Sequence, residues 1–255
     1  MSDQESKDGR IRVGIGGWVF PPWRGTFYPQ EVRQADELAY ASRHVTAIEI
    51  NGTFYRLQTP ASYKKWHDAV PDDFVFSLKG SRFITHRNDL STAAPFMERF
   101  FHSGLAELGP KLGPILWQFA PGLAFDEGNL TAFLDALPKT LGNRKLRHVL
   151  EVRSSSFKEP AFARLMERHA AAIAWVEDAK VPLIETVTTD FVYARLRQCR
   201  EDEPTGYAPD ALDRIAARFR AHAEAGRDCF VYFINGAKTR APHAAMALIE
   251  RLRAR

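Results

Sequence analysis

Residues 47–55 read Ala-Ile-Glu-Ile-Asn-Gly-Thr-Phe-Tyr, and this stretch predicts both a buried strand and a polar site. Because side chains alternate between the two faces of a strand, Glu49, Asn51 and Thr53 share one face, and the isoleucines between them share the other. Aliphatic residues are the usual choice at buried positions. A carboxylate and an amide in their place therefore indicate a ligand site.

Eight short runs rich in β-branched and aromatic residues recur along the chain at fairly even intervals. They are Arg12–Gly16, Ala47–Asn51, Phe74–Lys79, Pro114–Phe119, His148–Val152, Ala172–Val176, Phe191–Leu196 and Cys229–Ile234. Few of them alternate cleanly between apolar and polar residues. This pattern is typical of strands that are covered on both faces in a parallel sheet.

Helical patterns fill most of the intervals between these runs. They are Asp36–Ser42, Pro60–Ala69, Pro95–Leu108, Leu130–Leu137, Pro160–Arg168, Pro209–Ala225 and Pro242–Arg253. Thr59 is a candidate N-cap, and the sixth interval, 179–188, is short and irregular. A β–α unit repeated about eight times predicts the α/β class and one domain, a single (β/α)8 TIM-type barrel over residues 11–255.

The composition is that of a globular protein, with 45% hydrophobic and 26% charged residues. The net charge of +4 favours anionic ligands. The two cysteines, Cys199 and Cys229, predict no disulfide framework and a reducing compartment. Residues 1–10 are polar and are predicted to be a disordered tail. Because no signal region or long apolar run occurs, we expect a cytoplasmic protein that does not bind membranes; its oligomeric state is not predicted.

Polar residues follow nearly every predicted strand, at the end of the barrel where this fold places its ligand site. The predicted binding residues are Trp18, Asn51, Tyr55, Lys79, Arg82, Gln118, Arg153, Asp178, Arg195 and Asn235. A charge in a low-dielectric barrel mouth is costly unless it is paired, so the repeated polar choice predicts function. Trp18, Trp117 and Trp175 together are interpreted as walls of the pocket.

Arg82, Arg153 and Arg195 predict an anionic or phosphorylated ligand, because a guanidinium presents a planar fork to a carboxylate or phosphate. The loops after the seventh and eighth strands, which hold phosphate in many barrels, offer Arg195, Arg197 and residues 235–238. A small anionic ligand is therefore the expected partner.

Glu49 or Glu151 is the predicted general acid or base, since a partly apolar mouth can move the pKa of a carboxyl toward neutrality. His86 is the predicted proton shuttle. A structural alternative stays open for both carboxylates: Glu151 pairs with Arg153, and Glu49 pairs with Lys79 or with an arginine.

No cofactor is predicted. A divalent metal is a weaker possibility, for which the hard ligands would be Glu49, His86, Glu151, Glu177 and Asp178. Cations two residues away would repel the metal, and the chain has no HxH or HExxH spacing. It also has no GxGxxG, Walker A or GxSxG motif.

Several motifs in order along nearly the whole chain resemble the YecE-like family, also called domain of unknown function seventy-two. They are GGW at 16–18, WRGTFYP at 23–29, EINGTFYR at 49–56, FSLK at 76–79, ITH at 84–86, GPILWQF at 113–119, EVR at 151–153, YARL at 193–196 and YFIN at 232–235. The resemblance implies a TIM-type barrel and no established activity. The chain departs from the family pattern at Gly52, Gly236 and residues 154–157, which concerns ligand contacts rather than the fold.

These observations favour an enzyme, a hydrolase or an isomerase, that binds a small anionic or phosphorylated ligand at the strand ends. A nucleic-acid-binding protein or phosphodiesterase with nuclease activity is the alternative, because the same mouth would accept a backbone phosphate. A non-catalytic scaffold barrel is the third possibility.

Overall fold

The computed structural model describes residues 8–254 and contains a closed barrel of eight parallel strands. The strands are β1 (Ile11–Gly16), β2 (Ala47–Ile50), β3 (Val75–Lys79), β4 (Leu112–Gln118), β5 (Thr140–Leu141), β6 (Arg144–Lys145), β7 (His148–Glu151), β8 (Ala172–Glu177), β9 (Phe191–Leu196) and β10 (Asp228–Phe233). Strands β5 and β6 form a separate antiparallel hairpin. The order around the barrel is β1-β10-β9-β8-β7-β4-β3-β2, which confirms the predicted (β/α)8 architecture.

The helices lie outside this barrel and connect its strands. They are α1 (Glu37–Ala41), α2 (Gly52–Tyr55), α3 (Pro60–Asp68), α4 (Arg82–Thr85), α5 (Ala94–Phe101), α6 (Glu127–Ala136), α7 (Pro160–Arg168), α8 (Pro209–Glu224) and α9 (Ala241–Arg253). Helix α3 begins after Thr59, whose side-chain oxygen accepts a hydrogen bond from the Ser62 amide at 3.2 Å, as the N-cap prediction requires.

The predicted helix over residues 95–108 is too long. Helix α5 ends at Phe101, and a separate 3-10 segment covers Leu105–Lys111. Gly104 separates them in a left-handed conformation with φ of 112°, and a Cβ there would lie 2.6 Å from the Pro60 backbone. Only glycine meets both conditions, so the chain turns at this point. The sixth interval, residues 178–190, contains no helix, as predicted.

Alternation along each strand divides the side chains between two cores. Isoleucine, leucine and aromatic residues on the outer faces, such as Ile48 and Leu78, join one large cluster beneath the helices. Smaller residues and tyrosines on the inner faces, such as Ala174, Tyr193 and Tyr232, fill the barrel interior. Near the carboxyl ends of β2, β7 and β9, the inner faces carry Glu49, Glu151 and Arg195, so these polar residues lie in the barrel lumen.

Seven of the residues in the predicted disordered tail, 1–7, lie outside the described residues. Within the rest, the Gly9 amide donates to the Ala223 carbonyl at 2.8 Å, and the Arg10 amide donates to the Asp228 carboxylate at 2.9 Å. The chain is therefore hydrogen-bonded to the barrel from Gly9 onward. No helix among residues 8–254 combines the length and the apolar character needed to cross a membrane.

Candidate functional site

A buried network of carboxylates and arginines lies in the lumen at the carboxyl ends of the strands. The Arg195 side chain is only 2% exposed. Its Nε and Nη2 donate to the two oxygens of Glu49 at 3.0 and 2.9 Å, and its Nη1 donates to Glu151. Tyr193, two residues earlier on the same face of β9, donates its hydroxyl to Glu49 at 2.7 Å. The bidentate pairing identifies the ion-pair partner of Glu49 as an arginine rather than Lys79.

Glu151 is the most heavily paired carboxylate of this network. Besides Arg195, it accepts from Arg197 Nη2 at 2.8 Å and from Arg153 at 3.3 Å. Arg197 also contacts Asp178 at 3.3 Å and so connects the network to the rim. Burial by itself would raise the pKa of Glu151, but Arg195, Arg197 and Arg153 outweigh it and lower that pKa to about 2. The expectation of a pKa near neutrality is therefore wrong for Glu151, because three guanidinium groups stabilise its charged form.

Arg195 was expected to neutralise an anionic ligand, and the structure gives it another role. Each of its three guanidinium nitrogens donates to Glu49 or Glu151, and the side chain has almost no exposed surface. It holds two carboxylates in place rather than facing the mouth.

A second group of cations surrounds His86 at the mouth. Lys79, the last residue of β3, lies with its Nζ 3.8 Å from the centroid of the Phe54 ring, and His86 packs edge-on against the same ring at 5.2 Å. Burial lowers the pKa of the His86 imidazole, and the charges of Lys79, Arg153 and Arg82 lower it further. His86 is exposed, so its ring faces solvent beside these three cations.

Amide side chains complete the mouth. Gln118 lies opposite Glu151 in the parallel register and is buried, and its side-chain oxygen has no hydrogen-bond partner among the described residues. Asn51 donates to the carbonyl of Glu49 at 3.3 Å, next to Gly16, where a Cβ would lie 3.2 Å from the Asn51 amide nitrogen. Asn235 is exposed after β10. An unsatisfied buried amide oxygen is unusual in a folded protein, and it marks Gln118 as a candidate ligand contact.

The three tryptophans do not line a common pocket. Trp117 points outward and packs against Phe100, Phe133 and His148 beneath the helices. Trp18 is half-buried and packs against Trp66 of α3 at 5.4 Å. Trp175 packs against Phe219 of α8, and Arg218 lies over its ring. The interpretation of the three as walls of one pocket is wrong. Trp117 faces the helices and Trp18 packs on α3, whereas Trp175 lines a cleft between the loops after β7, β8 and β9. Tyr55 does reach the rim, where it is exposed.

The loops after β9 and β10 offer few free groups for a phosphate. Arg195 and Arg197 are paired with carboxylates, and the Ala237 amide donates to the Cys199 carbonyl at 2.6 Å. Gly236, with φ of 84°, lets the two loops meet, since a Cβ there would lie 2.4 Å from the Cys199 carbonyl oxygen. Lys238 is turned away, with its ammonium over Phe20 at 4.8 Å. Lys79 and Arg82, which form no ion pair among residues 8–254, lie instead at the end of β3 and at the start of α4.

A protein-family model matches the chain over nearly the whole barrel. The family model described as "Protein of unknown function DUF72" matches residues 12–255. The chain belongs to the DUF72 family. This confirms the family resemblance of its motifs.

Relatives of this DUF72 chain include the UPF0759 proteins YunF of Bacillus subtilis and YecE of Escherichia coli K12. YunF is 25% identical over 171 residues, which cover 65% of the chain and 58% of YunF. YecE is 28% identical over 150 residues, which cover 58% of the chain and 50% of YecE. The matched region thus spans little more than half the length of these relatives. A crystal structure of a DUF72 family protein from Thermotoga maritima has a TM-score of 0.76 at 18% identity and covers 96% of the chain and 100% of that protein.

A cleft of about 690 Å³ opens beside the lumen of the DUF72 barrel, between the loops after β7, β8 and β9. Of the predicted site residues, Arg153 and Asp178 line it, together with Lys158, Lys180 and Gln198. Because Arg153 lines the cleft and also donates to the buried Glu151 at 3.3 Å, this arginine lies between the lumen and the cleft. No cluster of three or more metal-ligating side chains occurs in the part of the chain that the structure describes.

Two participants in the DUF72 site, Tyr193 and Phe54, were not among the predicted binding or catalytic residues, and Arg197 was predicted only as a phosphate contact of the loop after β9. Tyr193 and Arg197 lie two positions on either side of Arg195, so strand alternation alone identifies both as lumen residues. Phe54 has no comparable signal. It reaches Lys79 because α2 is a single helical turn after β2.

The lowered pKa of Glu151 predicts how stability depends on pH in this DUF72 chain. A carboxyl whose pKa falls from 4.5 to about 2 on folding stabilises the protein above pH 4.5, and this contribution is lost as the pH falls toward about 2. It is on the order of 3 kcal/mol. The cost of Glu151→Gln in urea unfolding should therefore be largest near neutral pH and shrink through this window. The same substitution at the exposed Glu98 should show no such trend, and a cost for Glu151→Gln that stays constant with pH would contradict the assignment.

Proposed function

We propose that this DUF72 protein binds a small anionic or phosphorylated compound at the carboxyl end of its barrel, with the anion held by Lys79, Arg82 and Arg153. One observation carries the proposal. Among residues 8–254, neither Lys79 nor Arg82 has a carboxylate within ion-pairing distance, although only 8% of Lys79 is exposed.

The charge balance of the mouth supports this proposal. The cations are Lys79, Arg82, Arg153, Arg195 and Arg197, and the carboxylates are Glu49, Glu151, Glu177 and Asp178, so five basic side chains lie beside four acidic ones. A buried charge without a partner is costly, and a bound anion would remove that cost. Arg153 extends the same positive region into the cleft, which offers room for the rest of a ligand larger than phosphate.

His86 is the proposed proton carrier. Glu49 and Glu151 are both held by Arg195, whereas His86 is exposed beside the free cations, and its lowered pKa favours the neutral base near neutral pH. Hydrolysis and proton-transfer isomerisation are both compatible with such a group.

Phosphate and simple phosphorylated compounds should stabilise the protein against heat in proportion to their concentration. Arg82→Gln should weaken this binding about tenfold, because it removes one charge-assisted contact. The matched control is Arg43→Gln, which removes one exposed positive charge near α1 and should leave affinity unchanged. Calorimetric titration of both variants and the parent protein measures the effect.

Two results would overturn the proposal. One is the absence of any thermal stabilisation by phosphate, sugar phosphates and nucleotides. The other is equal loss of affinity in Arg82→Gln and Arg43→Gln, which would show that only net charge matters.

Exposed aromatic residues favour nucleic-acid binding as a second function. Tyr55 is 62% exposed and Phe83 is 53% exposed, in the one-turn helices α2 and α4 that follow β2 and β3. Arg82 lies 5.5 Å from the Phe83 ring centroid. Aromatic side chains next to cations are the surface on which unstacked bases pack. Affinity for short single-stranded DNA that falls steeply with salt would support this second function.

A further inference from the structure

Lys79 is buried and held more rigidly than a residue that only attracts an anion needs to be. It ends β3 inside the lumen, and its carbonyl accepts a hydrogen bond from the Thr53 hydroxyl at 2.7 Å, which fixes the backbone there. Its side chain is buried, and its Nζ lies against the face of Phe54. The amine is thus held in one place, with an apolar surface on one side.

The nearby carboxylates are all committed to arginines. Glu49 is paired with Arg195, and Glu151 with Arg195, Arg197 and Arg153. No described carboxylate pairs with Lys79, so no ion pair stabilises its protonated form. Burial lowers the pKa of Lys79 to about 8, and the charge of Arg195 adds to this effect against the opposing charges of Glu49 and Glu151. A substantial share of the amine is therefore neutral and nucleophilic close to physiological pH.

Groups for a carbonyl substrate lie around this amine. Lys79 is in register with Leu116 of β4, and Gln118 follows two residues later on the same inward face, with its unsatisfied amide oxygen. His86 contacts the same Phe54 ring as Lys79. A hydrogen-bonding amide and a neutral imidazole near an amine are the groups that carbonyl addition and dehydration need.

We propose that Lys79 is a catalytic nucleophile that forms an imine with small anionic aldehydes or ketones. This proposal rests on the proposed anion site, since Arg82 and Arg153 would hold the carboxylate or phosphate of such a substrate. It narrows the ligand class from anions in general to anions that carry a carbonyl group.

The chemistry balances without any oxidant or reductant. The lone pair of neutral Nζ forms a bond to the carbonyl carbon, and the electrons of the broken C=O π bond go to oxygen. The oxygen takes up a proton from the solvent, which is the net proton that the protonated imine carries at the end. His86 removes a proton from nitrogen and returns it to the departing oxygen. Loss of water then leaves the protonated imine, and addition of water reverses the sequence.

Glyoxylate with sodium cyanoborohydride tests the proposal, because the reductant converts any imine into a stable carboxymethyl-lysine. Peptide mapping after brief treatment near neutral pH should find Lys79 modified about tenfold faster than the exposed Lys65. The rate at Lys79 should level off above about pH 8. Inorganic phosphate should slow modification of Lys79 but not of Lys65.

The variant Lys79→Arg keeps the positive charge and removes the nucleophile. A folded Lys79→Arg protein, checked by urea unfolding, should lose the fast carboxymethylation while the slow reaction at Lys65 continues. Modification of Lys79 in the parent protein no faster than that of Lys65 would overturn the imine proposal, and stabilisation by phosphate in the same sample would leave the anion site standing. Absence of both effects would overturn the two proposals together.

Discussion

Replacing Arg195 by Met is expected to lower the free energy of unfolding by about 3–5 kcal/mol, as measured by urea denaturation. The guanidinium donates to both oxygens of Glu49 and to Glu151, and all three side chains are buried. Methionine fills a similar volume but leaves two carboxylates near each other without their shared cation. Their repulsion and their lost hydrogen bonds both oppose folding.

Two further variants separate this effect from simple loss of charge. Arg82→Met removes an exposed arginine that has no ion pair among the described residues, and should change stability by less than about 0.5 kcal/mol. In the Arg195→Met background, Glu49→Gln should lower the free energy of unfolding by less than it does in the parent protein. The reason is that it removes one of the two buried carboxylates that have lost their shared cation. A loss below about 1 kcal/mol for Arg195→Met would show that water or neighbouring groups compensate the carboxylates.

Trp117→Ala should lower the free energy of unfolding by about 3–5 kcal/mol. The indole has no exposed surface and packs against Phe100 at 5.6 Å and Phe133 at 5.8 Å. Its Nε1 donates to His148 Nδ1 at 3.1 Å, while His148 Nε2 donates to the Pro138 carbonyl at 2.8 Å. The substitution therefore leaves a large cavity and a buried imidazole nitrogen without its donor.

Trp117→Phe tests mainly the loss of the hydrogen bond to His148. Phenylalanine keeps much of the apolar contact but cannot donate to His148, so we expect a cost of about 1–3 kcal/mol. Phe83→Ala is the surface control and should be nearly neutral, because that ring is largely exposed. Phosphate affinity of folded Trp117→Phe protein should be unchanged, and a large loss of affinity would contradict the assignment of Trp117 to the core.

Arg195 lies in the lumen, whereas Trp117 packs against the helices outside the barrel. Strand β4 shows how one strand serves both sides. Trp117 lies on the outer face of β4, whereas Gln118, the next residue, lies on the inner face opposite Glu151. Neighbours in sequence thus serve packing and the site, respectively, because successive side chains of a strand point in opposite directions. The same alternation separates Ile48 and Ile50 from Glu49.

Local rules were enough to predict the barrel and the lumen residues. Short strands without polar alternation, separated by helical patterns, leave few architectures other than a (β/α)8 barrel, since parallel strands need crossover connections. The period of two then places Glu49, Glu151 and Arg195 on inward faces whichever strands are neighbours. The helix over residues 95–108 was predicted incorrectly because the break at Gly104 depends on its contact with Pro60, over forty residues away.

Partners within the lumen could not be predicted in this way. Glu49 and Arg195 are separated by 146 residues, and β2 and β9 are not adjacent in the barrel, so their contact across the lumen depends on barrel closure. The sequence by itself determined the fold class, the end of the barrel that carries the polar residues and their excess of positive charge. Only the tertiary structure decided that Arg195 takes both buried carboxylates and leaves Lys79 without one, because pairing depends on distances across the closed barrel that no local pattern encodes.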